Sequence, residues 1–427
     1  MPLVVFLRRS TAAASNRVAL AAYTLEVAWQ AYVAGIFTIG FSTIGGTDRF
    51  GISPFDTAFT GPHDNLSARF QHGVAERGRA TNLDTTQAGV CTVTVRDRDG
   101  LLNPDNASSP LYGLLEYRKQ PLRLRGVYQG VTYPIFYGHV DSITWTPLGR
   151  GKAVAEIRAV DLFYWLDSVK PTIAATGATS TGAALGKLLD AVGWIDPQAR
   201  SLDAGDNLPG FSADGTKTGL QIARDLLDAE RGVFYISAAG VATFESRQSR
   251  ALRPVAATIT DDMTRVSPTI DHRLIENVVR VKRTQTGYQA TATDGDSINK
   301  FGYHEGLNLE TPYLISDSQT DALANYVLSQ TAKPRRPLRD FQIDNRLPST
   351  LRQALGRDLS DVVSVSEAEG GTAGVYHIER VRHEIAQRGR RHSTGWVLSK
   401  KPAYTPMVIG TSQIAANGAT VGPQLVY

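Results

Sequence analysis

The sequence predicts a mainly β protein carrying an α+β insertion, and three observations support that class. Apolar and polar residues alternate through most of the stretch between Tyr23 and Val160. Two helical patterns, each ending at a glycine, interrupt the alternation between residues 168 and 252. Strand character then returns and persists to about residue 400. A chain of 427 residues is long enough to build more than one core.

The elements follow in order. Tyr23, Leu25, Val27 and Trp29 alternate with Thr24, Glu26 and Ala28, as do Cys91, Val93 and Val95 with Thr92, Thr94 and Arg96. PLRLRGVY repeats the pattern with Leu122 and Leu124 inside and Arg123 and Arg125 outside, and TYPIFYGHVDSITW and GKAVAEIRAVD extend it. Together they predict a first barrel or sandwich over residues 51–167, preceded by a strap and first strands over 1–50. In 168–252, Leu185, Leu188, Leu189 and Val192 share a helical face, with Thr181 as cap and Gly193 as stop. A second helix carries Ile222, Ala223, Leu226 and Leu227 and stops at Gly232, and a hairpin over VFYISAAGVATFES completes an α+β insertion. The span 253–400 reads as a second barrel with one helix, 316–330, and 401–427 as an extended tail.

Two segments echo each other. FYGHVDSITWTPLGRGKAVAEIRAVD and VYHIERVRHEIAQRGRRHSTGWVLSK each run strand, Gly-Arg turn (Gly149-Arg150, Gly389-Arg390), strand. Such a pair is what an internal duplication or any two hairpins would show.

Composition narrows the function classes. Lys+Arg 45 against Asp+Glu 41 leaves a net charge of +4, too small an excess to point to nucleic acid by itself. The lone Cys91 rules out an internal disulfide and any all-cysteine metal site. The N-terminal stretch has its apolar residues before its basic pair, the reverse of a secretory signal. The uncharged run Val27 to Thr47 is rich in glycine and β-branched residues, so buried strands are expected there and no integral membrane segment.

A search for chemistry yields little. GAALGK, ending at Lys187, has one residue too few between its glycines for a phosphate loop, and Leu188 stands where Ser or Thr must hold magnesium. Asp97, Asp99, Asn103 and Asp105 offer oxygens to calcium, but the glycine is misplaced for an EF-hand and Ser108 stands where its glutamate is needed. A turn satisfied by its own side chains is the expectation. His377 and His383, beside Glu379 and Glu384, read as solvated strand residues rather than a zinc site. No GxSxG elbow or zincin motif is present, so no catalytic, cofactor or metal residue is assigned and no enzymatic function is expected. Arg335, Arg336, Arg339, Arg388, Arg390 and Arg391 form a basic bias suited to acidic partner surfaces or to solvent.

The loop RDGLLNPDNASSPLYG joins two β-patterned segments. Asp99-Gly100 is a turn dipeptide, and Pro104 and Pro110 hold their predecessors extended. Asn103 and Asn106 are placed to satisfy its backbone, and Leu111, Tyr112 and Gly113 close it, with Leu111 and Tyr112 as anchors.

In order, the Arg77-Gly78-Arg79 turn, QAGVCTVTVRDRDGLLNP, NASSPLYG, PLRLR and YPIFYGHVDSITW resemble the hub-type minor tail proteins of long-tailed bacteriophages, especially those of actinobacterial hosts. The resemblance is strongest over residues 70–165 and extends more weakly over 20–400. It implies two related β-barrel domains as in phage baseplate hubs, and a virion protein at the tail tip, made in the host cytoplasm. It implies a homo-oligomer, a trimer or else a hexamer, adapting a six-fold tube to a three-fold tip. The implied neighbours are a distal tail protein, the tape measure protein and tip or fibre proteins, with transient passage of DNA. A six-fold distal tail ring and a carbohydrate- or receptor-binding tail protein are the alternatives.

Overall fold

The computed structural model describes residues 18–29, 59, 61–80, 84–116, 120–194, 199–260, 262–270 and 272–401. Of the two expected straps, 18–29 are described, and the remainder of 1–50 and residues 402–427 lie outside the described residues. Twelve strands form one large sheet: β1 (Ala22–Val27), β2 (Phe70–Gly78), β3 (Gln87–Arg96), β4 (Pro121–Tyr128), β5 (Val131–Gly149), β6 (Lys152–Val160), β7 (Val255–Thr260), β8 (Arg265–Pro268), β9 (Leu338–Asp344), β10 (Val362–Ser366), β11 (Ala373–Ala386) and β12 (Arg391–Lys400).

The strands form where the alternation places them. In β3, Cys91, Val93 and Val95 are buried while Arg96 is exposed. In β4, Leu122 and Leu124 are buried and Arg123 and Arg125 turn outward. The first core gathers Leu25, Val93, Leu124, Phe136 and Ile157, and receives Leu351 and Leu355 from the helix Pro348–Gly356 far along the chain. The second gathers Leu338, Ile378, Val381 and Leu398 around Phe341 and Trp396, whose rings stack at 5.4 Å.

The sheet contains the same pattern twice. Strands β1 to β6 lie in the order β1-β4-β5-β6-β3-β2, and β7 to β12 in the order β7-β10-β11-β12-β9-β8. The two orders are identical strand for strand, although β1 runs antiparallel to β4 and β7 parallel to β10. The long hairpins at their centres match in detail. The register of β5 with β6 slips between Val140 and Ser142, and that of β11 with β12 between Ile378 and Arg380. Each tip holds three consecutive left-handed residues, Gly149-Arg150-Gly151 and Gln387-Arg388-Gly389. The correct superposition therefore aligns Arg150-Gly151 with Arg388-Gly389, two residues away from the Gly-Arg pairing read from the sequence. The two units are fused edge to edge, because β2 pairs antiparallel with β11 from Gly73↔Ile385 to Gly78↔Arg380.

Between β6 and β7 sits the α+β insertion. Its helices Thr181–Ala191 and Gly219–Glu230 pack Leu185, Leu189 and Leu226 against Phe234 and Phe244 of a three-stranded sheet. Two expected boundaries change. Ser180, not Thr181, caps the first helix, because Thr181 is drawn inward to donate its hydroxyl to Glu230. The second helix ends on a left-handed Arg231, φ 56°, one residue before Gly232.

The span expected as a second barrel with one helix, 253–400, also holds a separate small sheet and the helices Gly295–Phe301 and Pro348–Gly356. Val278–Arg283, Gln289–Thr293 and Glu305–Thr311 form a separate three-stranded sheet with its own core of Val279, Val281, Leu323 and Val327, roofed by the helix Asp317–Thr331. Alternation shows that a strand has one buried face, not which core buries it. Among the described residues no helix is long and apolar enough to cross a membrane.

Candidate assembly surfaces

The Arg77-Gly78-Arg79 stretch is where the first unit, the insertion and the second unit meet. Gly78 has φ +114°, and a Cβ there would lie 2.2 Å from the carbonyl oxygen of Glu379, so only glycine allows this approach. Arg79 N donates to that same carbonyl at 2.8 Å. Arg77, 3% exposed, donates to the carbonyl of Ile236 in the insertion and pairs with Asp358 at 2.8 Å.

Beside it, the buried Glu379 carboxylate accepts from Arg79 Nε at 2.8 Å, from Arg250 Nη2 and from Ser399 Oγ. Burial alone would raise this carboxyl, but the Arg250 and Arg79 guanidinium groups hold it down at about 2. Arg250 Nη1 reaches the Ser360 hydroxyl, which donates to Glu245 at 2.5 Å, and Arg253 bridges Glu245 and Asp361. Sequence reasoning missed this network. Its members are up to 300 residues apart, and the one local signal was a charge, Glu379, at a strand position next to apolar ones, with Arg79 just past the end of β2.

The loop after β3 is held by its own side chains. Asp97 accepts from the backbone of Leu101 and Leu102 at 3.1 and 2.9 Å and from Arg69 at 3.0 Å. Arg69 also grips Asp99 and holds its carboxyl low, at about 2. Asn103 Oδ1 accepts from Asp105 N, and Asn106 Nδ2 donates to Gly100 O at 2.9 Å. These oxygens are committed to internal donors, and among the described residues no group of three or more His, Cys, Asp or Glu could hold a metal ion. Pro104 and Pro110 are exposed on the outer rim, and Gly113 takes φ +76°. Leu111 anchors the loop in the first core at 2% exposure, but Tyr112 is 55% exposed and does not. The loop turns over at Leu111, so the next side chain points to solvent.

His377 and His383 are buried rather than solvated, at 3% and 2% exposure. His383 faces inward because the slip after Ile378 keeps Val381, His383 and Ile385 on the core side, whereas His377, before the slip, is covered beside the Ser360 carbonyl. His383 Nδ1 meets His392 Nε2 at 3.1 Å, and His392 Nδ1 meets the Tyr23 hydroxyl at 2.9 Å, tying β1 to the β11–β12 hairpin. Burial lowers His392 to about 4 and His377 to about 3, and pushes His383 well below the ordinary imidazole value.

The basic residues do not form one surface. Arg335, Arg336 and Arg339 lie at the start of β9, where Leu338 faces Leu398, whereas Arg388, Arg390 and Arg391 lie at the tip joining β11 to β12. Along β12 the two groups are separated by about seven residues, or roughly 20 Å. Arg335 is half-buried, and Arg388 bonds Gln71 across the seam at 3.0 Å. A groove of about 240 Å³ lies between β4, β5 and the Ala238-Ala239 turn. Its Arg123 and Arg125 are both bound to Glu26. The groove's lining residues place no nucleophile beside a base.

These features define a mostly β fold in which buried charges and backbone contacts join the units. No protein-family model matches the chain, and no curated protein matches it by sequence. Solved structures do. The tail protein from Neisseria meningitidis MC58 superposes with a TM-score of 0.56 at 11% identity, covering 89% of this chain and 96% of that one. The 43 kDa tail protein of prophage MuSo2 from Shewanella oneidensis superposes with a TM-score of 0.53 at 11% identity, covering 78% of this chain and 93% of that one. The chain thus has the fold of solved phage tail proteins.

Proposed function

We propose that the chain is a structural component of a phage-type tail, a hub at the tail tip that assembles as a ring of three copies around the path of the DNA. The observation that supports this reading most directly is the doubled six-stranded unit within one sheet. Three copies of a doubled unit present six similar units on one side of a ring while keeping three-fold symmetry on the other. The fold shared with tail proteins agrees with it.

Native mass spectrometry of the purified protein tests the proposal. A species of three times the 46.2 kDa chain supports the hub, and six copies point to a distal tail ring. A chain that stays monomeric at every concentration overturns the ring.

A further inference from the structure

The fusion of the two units shows how one copy of the chain meets the next. In β11, the half from Arg380 to Ile385 is paired on its outer edge by β2. The matching slips and tips of the two hairpins make Ser142–Pro147 of β5 the counterpart of that half. Its inner edge pairs with β6, while β4 pairs with β5 only up to His139. Among the described residues no strand covers the outer edge of Ser142–Pro147. Such an edge is a row of unmatched backbone donors and acceptors, a template for another strand.

The counterpart of β2 is β8, last in its unit as β2 is in the first. Strand β8 pairs with β9 on one edge, and among the described residues nothing pairs with the other. Among the described residues the chain therefore carries an open acceptor edge in its first unit and, at the far end of the fused sheet, an open donor edge in its second.

We infer that β8 of one copy pairs antiparallel with the Ser142–Pro147 edge of a second copy, repeating between chains the β2:β11 joint within the chain. This rests on the ring reading above and names its seam. The register follows from the equivalences. Val266 faces Phe341 as Gly73 faces Val93, and Phe341 and Val93 face the corresponding residues Trp396 and Ile157. Gly73↔Ile385 and Val74↔Glu384 therefore become Val266↔Pro147 and Ser267↔Thr146 between copies. Pro147 and Pro268 each lack an N–H, which disfavours slipped registers. The contact is head to tail, so it propagates in one direction and ends only when the ring closes.

Cysteine cross-linking tests the seam. Directly opposed residues on antiparallel strands hold their Cα atoms about 4.5–5.5 Å apart, within the disulfide range of about 4.4–6.8 Å, and the buried Cys91 does not compete. Full-length Thr146→Cys chains mixed with Ser267→Cys chains should give a reducible two-chain species on oxidation, while neither variant alone does. The double variant should give closed covalent rings. Ser142→Cys mixed with Ser267→Cys, displaced by about 13 Å, should not link. If light scattering shows assembled rings and the Thr146/Ser267 mixture stays unlinked, the seam is wrong and the ring reading stands. If the chains remain monomeric under all conditions, both fall.

Discussion

Glu379→Gln should be among the most damaging single substitutions in this chain that change no volume. The carboxylate is 2% exposed and neutralises Arg79 and Arg250, which are themselves almost wholly buried. Gln keeps the shape and one acceptor but leaves two guanidinium groups facing a neutral amide. Breaking a buried ion pair by removing one partner costs about 3–5 kcal/mol. The depressed carboxyl points to a similar cost. Folding lowers the carboxyl from 4.5 to about 2, a difference equivalent to about 3 kcal/mol. At roughly 2–4 °C per kcal/mol, the unfolding midpoint should fall by about 10 °C at pH 7. A depressed carboxyl stabilises the fold above its unfolded value and loses that contribution as pH falls toward its folded value. The gap between wild type and variant in urea unfolding should therefore narrow as the pH drops from about 5 to 2. A gap below about 1 kcal/mol at pH 7, or one that ignores pH, would refute the account of the network.

Three further outcomes are expected. The buried His392, neutral in the fold with its value lowered to about 4, stabilises fully above the ordinary imidazole range; acidification from about pH 6.5 to 4 should remove up to about 3 kcal/mol, and a urea midpoint that stays flat across that window contradicts this. Leu111→Ala should lower stability by about 2–5 kcal/mol, whereas Tyr112→Ala should change it by less than about 0.5 kcal/mol, read by chemical denaturation. Gly78→Ala should cost more than about 2 kcal/mol, because the added methyl meets the Glu379 carbonyl and the backbone cannot retreat without unpairing β2 from β11; a wild-type urea curve for this variant would show the close approach to be dispensable.

Much of the fold was legible because its strands keep one buried face. Val93 and Val95, Leu122 and Leu124, and the helical stripe of Leu185, Leu188 and Leu189 are buried as their spacing demands. Spacing could not reveal where a face is spent. Val279 and Val281 alternate like barrel residues yet serve a separate small core, and Leu351 and Leu355 fill the first core from a helix in the span assigned to the second barrel. The histidines were misjudged for a related reason: solvent was assumed where a register slip turns His383 inward beside His392. The duplication was visible as two similar hairpins, but the slip after Val140 and the left-handed tips that align them are backbone properties. The Arg79–Glu379 joint joins positions too distant for any local pattern to connect.

The pairing of β2 with β11 also decides how the molecule bears load. Two domains joined by a linker would swing when pulled, and the linker would carry the force. Here a pull across the sheet is resisted by a ladder of backbone hydrogen bonds six residue pairs long. Tension along the strands loads those bonds in shear, all together, instead of unzipping them one at a time. A sheet built this way transmits a push or a twist from one unit to the other as a stiff plate does, and rearrangement within one chain would have to start elsewhere than at this joint.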